Sequence, residues 1–175
     1  MAISNLYKTS FSIPTLGLLH AFSNGLALTG LAFPSQLDKN KDYDTYTSIA
    51  YQDLPVFAST YHWLVTYAKG LEPQFLPPLD YSSGTAFRKA VWSALLAIPY
   101  GQTRTYGQLA QQVYGQTPKG FMARAIGSAV GHNPIAIIIP CHRIIGADHS
   151  LTGYTGGITI KRQLLALEGS YPFSK

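Results

Sequence analysis

The sequence predicts an α/β protein of the α+β kind, with a small β-sheet/helix domain over residues 1–80 and a mostly helical domain over 81–175. Two observations predict it. A Pro-, Gly- and Ser-rich stretch from Glu72-Pro73 through Pro77-Pro78 to Gly84 has the composition of a linker, centred on 71–84. Ahead of it, short apolar runs broken by Gly and Asn read as strands; behind it, apolar residues recur at the helical period. The charge changes sign at the same place. Four basic against six acidic side chains leave residues 1–80 at −2, and nine basic against two acidic leave residues 81–175 at +7. The 175 residues, 46% hydrophobic, suffice for a packed core, and a charged fraction of 12% excludes a disordered chain.

Thr9 to Leu37 carries no charge, but Pro14, Gly17, His20, Asn24, Gly25 and Gly30 keep its apolar runs too short for a membrane span. The basic start and small-residue cleavage pattern of a secretory signal are also missing, so the stretch reads as strands. Leu16–Phe22 and Leu26–Phe33 flank Ser23-Asn24-Gly25, and Asn-Gly favours the positive φ angles of a type I′ hairpin turn. Asp38 to Asp53 is a polar, tyrosine-rich loop with some helix. Pro55 to Lys69 is a helix, with Pro55 in its first turn and Gly70 as its stop.

Beyond the linker, Phe87, Val91, Trp92, Leu95, Leu96 and Ile98 share one helical face, with Thr85 as N-cap. Pro99-Tyr100-Gly101 breaks the chain. Thr105 and Gln108 have capping-box spacing and start a helix to about Tyr114. Gly115 to Gly120 is a turn, and a second helix runs from Phe121 to Val130. Two short helices around a turn make either a helix-turn-helix or a plain helical hairpin. His132-Asn133-Pro134 leads into an apolar strand ending at Pro140, and Ile144-Ile145-Gly146 leaves it. Gly153-Tyr154-Thr155-Gly156-Gly157 is a loop whose glycines permit close approach to a ligand. Thr159 to Leu167 is the last helix, with Gly169 beyond its end.

Cys141 is the sole cysteine, in Pro140-Cys141-His142-Arg143 at the end of Ile135–Ile139. Lacking an internal disulfide partner, it fits a reducing, cytoplasmic setting. A thiol beside His and Arg on a rigid strand edge is a candidate nucleophile; a buried structural cysteine is the alternative. The basic second half suits a polyanion such as nucleic acid, or is ordinary solubilising charge. Lys119 lies just ahead of the second helix and Arg124 in its first turns, where amide dipoles favour a phosphate. Ala125, Gly127, Ser128 and Ala129 keep that helix slim enough to approach another surface or a neighbouring helix.

Pro140-Cys-His-Arg-Ile-Ile145 resembles the active-site signature of the O6-alkylguanine-DNA alkyltransferases, the methylated-DNA–protein-cysteine methyltransferases. Thr105-Tyr-Gly-Gln-Leu-Ala110, Ala123-Arg-Ala-Ile-Gly127, Asn133-Pro134, Gly153-Tyr-X-Gly-Gly157 and Leu164-Leu-X-Leu-Glu-Gly169 follow in the family's order and cover most of residues 82–170. The first 80 residues fit only loosely. The resemblance implies direct-reversal DNA repair without a cofactor. An alkyl group would move from O6-alkylguanine, or O4-alkylthymine, in double-stranded DNA onto Cys141, once per molecule, after base flipping.

The same resemblance implies residue roles. His142 would deprotonate Cys141 through a water, and Glu168 would orient His142. Arg124 would fill the place of the flipped base, and Tyr106 would crowd the 3′ phosphate and bond the guanine. Lys119, Ala123 and Ser128 would join them on the minor groove. Carbonyls around Cys141 and Ile144 would accept from the exocyclic amine, the Thr155 amide would meet O6, Tyr154 and Gly156 would wall the pocket, and Asn133 would brace the turn. A monomer without membrane attachment is implied. Two departures stand out. The turn Gln116–Met122 is longer than usual, and the first domain lacks the cysteines that zinc-binding relatives use, so no metal is expected. From residues alone, Glu168 is a solvated helix-end charge, Tyr106 is equally a packing residue, and Arg124 is a phosphate clamp or a plain surface residue. Rival functions are a non-catalytic alkyl-lesion binder, a Cys-His hydrolase and a transcription regulator.

Overall fold

The computed structural model describes residues 5–115 and 120–171. The chain divides into two compact units, Met1–Tyr81 and Ser82–Lys175. Among the described residues the fold is α+β, with a four-stranded mixed sheet, a two-stranded ladder and five α-helices. Among the described residues no helix is long and apolar enough to cross a membrane.

In the first unit, β1 (Tyr7–Ile13), β2 (Gly17–Ser23) and β3 (Leu28–Ala32) form an antiparallel meander, and β4 (Thr47–Ser48) adds in parallel to β1. Alternation sends Phe11, Ile13, Leu19 and Ala21 inward. They face α1 (Pro55–Ala68), whose Phe57, Thr60, Leu64 and Tyr67 are fully buried. The Phe11 ring lies 6.5 Å from that of Phe57 and 5.9 Å from that of Tyr51. As predicted, Pro55 opens α1, and Gly70, with φ +72°, follows its end.

The β2–β3 connection differs from the predicted two-residue turn. Ser23 pairs with Leu28, so Asn24 to Ala27 all cross over. Asn24 does not adopt a positive φ; its Oδ1 accepts from the amides of Leu26 and Ala27 at 3.0 and 2.9 Å. A side chain that satisfies the loop from inside removes the need for two left-handed residues. Part of the predicted linker also joins the sheet. Leu28 donates to Pro78 and accepts from Asp80, each at 2.8 Å, which lays Leu79 beside β3.

The second unit is helical because its signals are local. In α2 (Ala86–Leu96) the Thr85 hydroxyl accepts from the Arg88 amide. A two-residue strand, β5 (Arg104–Thr105), leads into α3 (Tyr106–Tyr114), where Thr105 and Gln108 complete the capping box. After α4 (Gly120–Gly131), the Trp92 indole donates to the Ala129 carbonyl at 2.9 Å and locks α2 onto α4. The last helix is α5 (Ile158–Leu167).

The predicted strand over Ile135–Pro140 is not one. These residues are buried, but they fold into tight turns, with Ile137 at φ +69°. The Ile138 amide donates to Ala136 at 2.8 Å, Ile139 to Ile135 at 3.0 Å, and Cys141 to Ile139 at 2.8 Å. An apolar run reports burial, not dihedral angles, and here the buried backbone is satisfied by local turns instead of a ladder. Cys141 therefore stands at the head of a 3₁₀ turn, Cys141–Arg143, and not on a strand edge. The strand that does form is β6 (Ile144–Ile145), parallel to β5.

Candidate active site

The β5–β6 ladder pairs Arg104 with Ile144 and Thr105 with Ile145. It thereby fixes the start of α3, where Tyr106 sits, against the turn carrying Cys141. The thiol is buried, with 5% exposure. Asn133 holds it. Its Nδ2 donates to the Ile139 carbonyl at 2.7 Å and to Sγ at 3.0 Å, while its Oδ1 accepts from the Ile135 amide at 3.0 Å. One side chain thus pins both ends of the turned segment and points a donor at sulfur.

The 3₁₀ turn sends His142 and Arg143 into the interior, where Glu168 at the end of α5 meets both. His142 Nε2 lies 2.6 Å from Glu168 Oε1. Arg143 Nε donates to Oε2 at 2.8 Å and Nη2 to Oε1 at 3.1 Å, while Nη1 donates to the Ile98 carbonyl at 2.6 Å. The Gly101 amide donates to Oε2 at 3.2 Å. A carboxylate accepting four donors and paired with guanidinium stays ionised in the interior. Burial opposes its charge, but the His142 and Arg143 bonds prevail and pull its pKa down to about 2. Burial pushes His142 below the ordinary histidine range, although Glu168 pulls the other way. A neutral imidazole is also what the charge balance requires, since Arg143 already neutralises Glu168. Nε2 then carries the hydrogen given to Glu168, and Nδ1 the lone pair, a tautomer assigned from the hydrogen bond.

Burial raises the Cys141 thiol pKa; the Asn133 bond and the charge of Lys161 work against that. Lys161, on α5, is fully buried and donates Nζ to the carbonyls of Ile144 and Thr152, the latter at 2.7 Å. Burial lowers its pKa to about 8, so it remains mostly cationic at neutral pH. The site therefore holds a thiol, a neutral base and a nearby cation. Loss of the thiol proton to His142 would leave Cys141⁻ and His142⁺ beside Arg143⁺ and Glu168⁻, with Lys161⁺ favouring the anion.

Around the thiol, the Tyr106 hydroxyl donates to the Gly153 carbonyl at 3.1 Å. Gly153 has φ +58°, and a Cβ there would lie 2.8 Å from that hydroxyl oxygen, so a side chain would be strained and would displace the Tyr106 hydroxyl. Thr155 Oγ1 donates to the Gly131 carbonyl at 3.1 Å and ties the 153–157 loop to the end of α4. The Tyr154 hydroxyl is buried with no hydrogen-bond partner among the described residues. The Cys141 and Ile144 carbonyls already accept one bond each, from the Ile144 amide and from Lys161, leaving each a second lone pair. Gly156 lies half-buried in the loop. On α4, Arg124 and Ser128 are exposed and Ala123 is half-buried. Lys119 and the turn 116–119 lie outside the described residues. Among those described, no group of three or more His, Cys, Asp or Glu side chains is placed to hold a metal ion.

Three residues of this site were not anticipated. In sequence Arg143 is only a neighbour of the thiol, whereas in the fold it is the counter-ion of Glu168. Gly101 has the sequence signature of a chain break, whereas its amide binds the same carboxylate. Lys161 carried a readable signal: it shares the apolar face of α5 with Leu164 and Leu165, where a cation requires a reason.

The chain is similar to known proteins. Residues 86–170 match the family model described as "6-O-methylguanine DNA methyltransferase, DNA binding domain". A methylated-DNA–protein-cysteine methyltransferase of Mycobacterium tuberculosis is 44% identical over 155 residues, covering 89% of this chain and 88% of that protein. One from Haemophilus influenzae is 42% identical over 164 residues, covering 93% and 86%. The crystal structure of Mycobacterium tuberculosis OGT in complex with DNA superposes with a TM-score of 0.79 at 42% identity, over 94% of this chain and 93% of that one.

Proposed function

The chain belongs to the methylated-DNA–protein-cysteine methyltransferases, and from that premise we propose that Cys141 is the acceptor of an alkyl group taken from O6 of guanine in duplex DNA. The observation that carries the reading is the arrangement around the thiol. A buried sulfur takes a bond from Asn133 and sits next in chain to a neutral His142, whose other nitrogen is committed to an ionised Glu168.

Attack at a saturated carbon needs a soft anion. The Cys141 proton passes to His142 through a water, and the sulfur then displaces O6 from the alkyl carbon. The C–O bond breaks as the C–S bond forms; the electron pair stays on guanine, which recovers the proton. Lys161 supports the thiolate, and Asn133 keeps sulfur aimed. The product is a thioether without a facile leaving group, so each molecule acts once. O4-alkylthymine, with the same alkoxy carbon, falls within the same chemistry.

A base inside a duplex cannot reach a thiol that is 5% exposed. The lesion therefore flips out, at a cost of about a few kcal/mol. Arg124, exposed on α4, fills its place from the minor groove, and the +7 charge of residues 81–175 holds the phosphates with Lys119, Ala123 and Ser128 alongside. Tyr106 turns its hydroxyl from Gly153 to the guanine. The Thr155 amide meets O6, Tyr154 and Gly156 wall the pocket, and the free lone pairs at Cys141 and Ile144 accept from the exocyclic amine. A monomer acting in the cytoplasm fits this scheme.

The test is Cys141→Ala. It should bind an O6-methylguanine duplex as the wild type does and transfer no label from it. Transfer by Cys141→Ala would exclude this sulfur as the acceptor.

A further inference from the structure

In α4 the buried positions are Met122, Ile126, Ala129 and Val130, and the exposed stripe is Phe121, Arg124 and Ser128. Spacings of three and seven put these three on one face. Phe121 breaks the polarity of that stripe. Its ring is 62% exposed, the most exposed large apolar side chain among the described residues of the second unit. Among the described residues its neighbours along that face of the helix are Gly120, Arg124 and Ala125, so the only large one is the cation. An exposed aromatic beside a cation, on the helix of a DNA-binding domain with a +7 surplus of charge, fits a partner that offers both phosphates and flat apolar faces.

We infer that Phe121 is a second, apolar wedge that stacks on duplex DNA next to the site Arg124 fills. The inference rests on the reading that Arg124 occupies the place of the flipped base. Along a helix axis Phe121 and Arg124 stand about 4.5 Å apart, and successive bases about 3.4 Å. With Arg124 at the vacated position and α4 running along the groove, Phe121 would reach the adjoining base step. Proteins that enter the minor groove use Phe in this way, prying a step open to bend the duplex. Two wedges on neighbouring steps would divide the work: Arg124 replaces the lost stacking partner, and Phe121 keeps the flanking pair from collapsing back.

The experiment compares wild type, Phe121→Ala, Phe121→Trp and Arg124→Ala on O6-methylguanine in a duplex and on the free O6-methylguanine base. The quantity read is the ratio of duplex to free-base transfer rates, with fluorescence of 2-aminopurine beside the lesion reporting unstacking. Phe121→Ala should lower the ratio roughly tenfold and lose the unstacking signal, the scale of one aromatic–base stack. Phe121→Trp should restore both. A wild-type ratio for Phe121→Ala, with Arg124→Ala impaired, overturns this inference alone. Wild-type ratios for both alanine variants overturn the Arg124 reading as well. Loss in Phe121→Ala that Trp does not rescue also overturns it, because stacking would not be the cause.

Discussion

Replacing Glu168 by Gln keeps its shape and removes its charge, which isolates the claim that this buried carboxylate organises the site. The magnitude follows in two ways. The carboxyl pKa falls from an ordinary 4.5 to about 2 on folding. At about 1.4 kcal/mol per unit, that is roughly 3 kcal/mol of stability at neutral pH. Separately, the substitution leaves Arg143 buried without a counter-ion and turns an amide NH2 toward donors; removing one partner of a buried pair costs about 3–5 kcal/mol. Glu168→Gln should therefore unfold about 3 kcal/mol more easily in urea at pH 7. The pH dependence gives a second check. A depressed carboxylate pKa contributes stability in full above the unfolded value and loses it as pH falls toward the folded one. The gap between wild type and variant should be constant above about pH 5 and close between about pH 5 and 2. A variant within 1 kcal/mol of wild type at pH 7, or a gap that does not change in acid, would refute the reasoning.

Three further outcomes follow. Lys161→Met removes a cation that folding holds at a cost of roughly 3 kcal/mol, together with two bonds to carbonyls, so stability at pH 7 should shift by no more than about 2 kcal/mol. Its transfer rate should fall about tenfold at pH 7, and the deficit should shrink above pH 8, where wild-type Lys161 loses its own charge; an undiminished rate at pH 7 would remove Lys161 from the thiolate's support. Gly101→Ala places a Cβ 3.1 Å from the Glu168 carbonyl oxygen at φ +73°; a melt should show a loss of about 1–2 kcal/mol or more, with slower transfer. Because burial holds His142 neutral below its ordinary pKa of 6.5, transfer to wild type should not fall as pH drops from 8 to 6.5 and should fail only below that; a decline centred above 6.5 would mean that the imidazole is already cationic.

The helix boundaries were legible because capping is local chemistry: Thr85, the Thr105–Gln108 pair and Pro55 each act within a turn of themselves. Ile135–Ile139 was not, because an apolar run specifies burial and leaves the backbone free to satisfy itself by turns. The β5–β6 ladder was invisible, since two residues on each side carry no periodicity and meet only through the fold. The active-site motif was readable as residues but not as a network. Sequence adjacency joins Cys141, His142 and Arg143, whereas the partner that orders them, Glu168, comes from the end of α5. Arg143 as its counter-ion and Lys161 as a buried cation required coordinates, because in sequence each is one basic residue among many in a basic half.

The most direct measurement is the intact mass of the protein after reaction with excess O6-methylguanine duplex. One added CH2 unit per chain, mapped to Cys141 and never exceeded, with guanine restored in an equal amount, is the result predicted. More guanine restored than protein modified, or a Cys141 that remains an unmodified thiol while the lesion disappears, would contradict it.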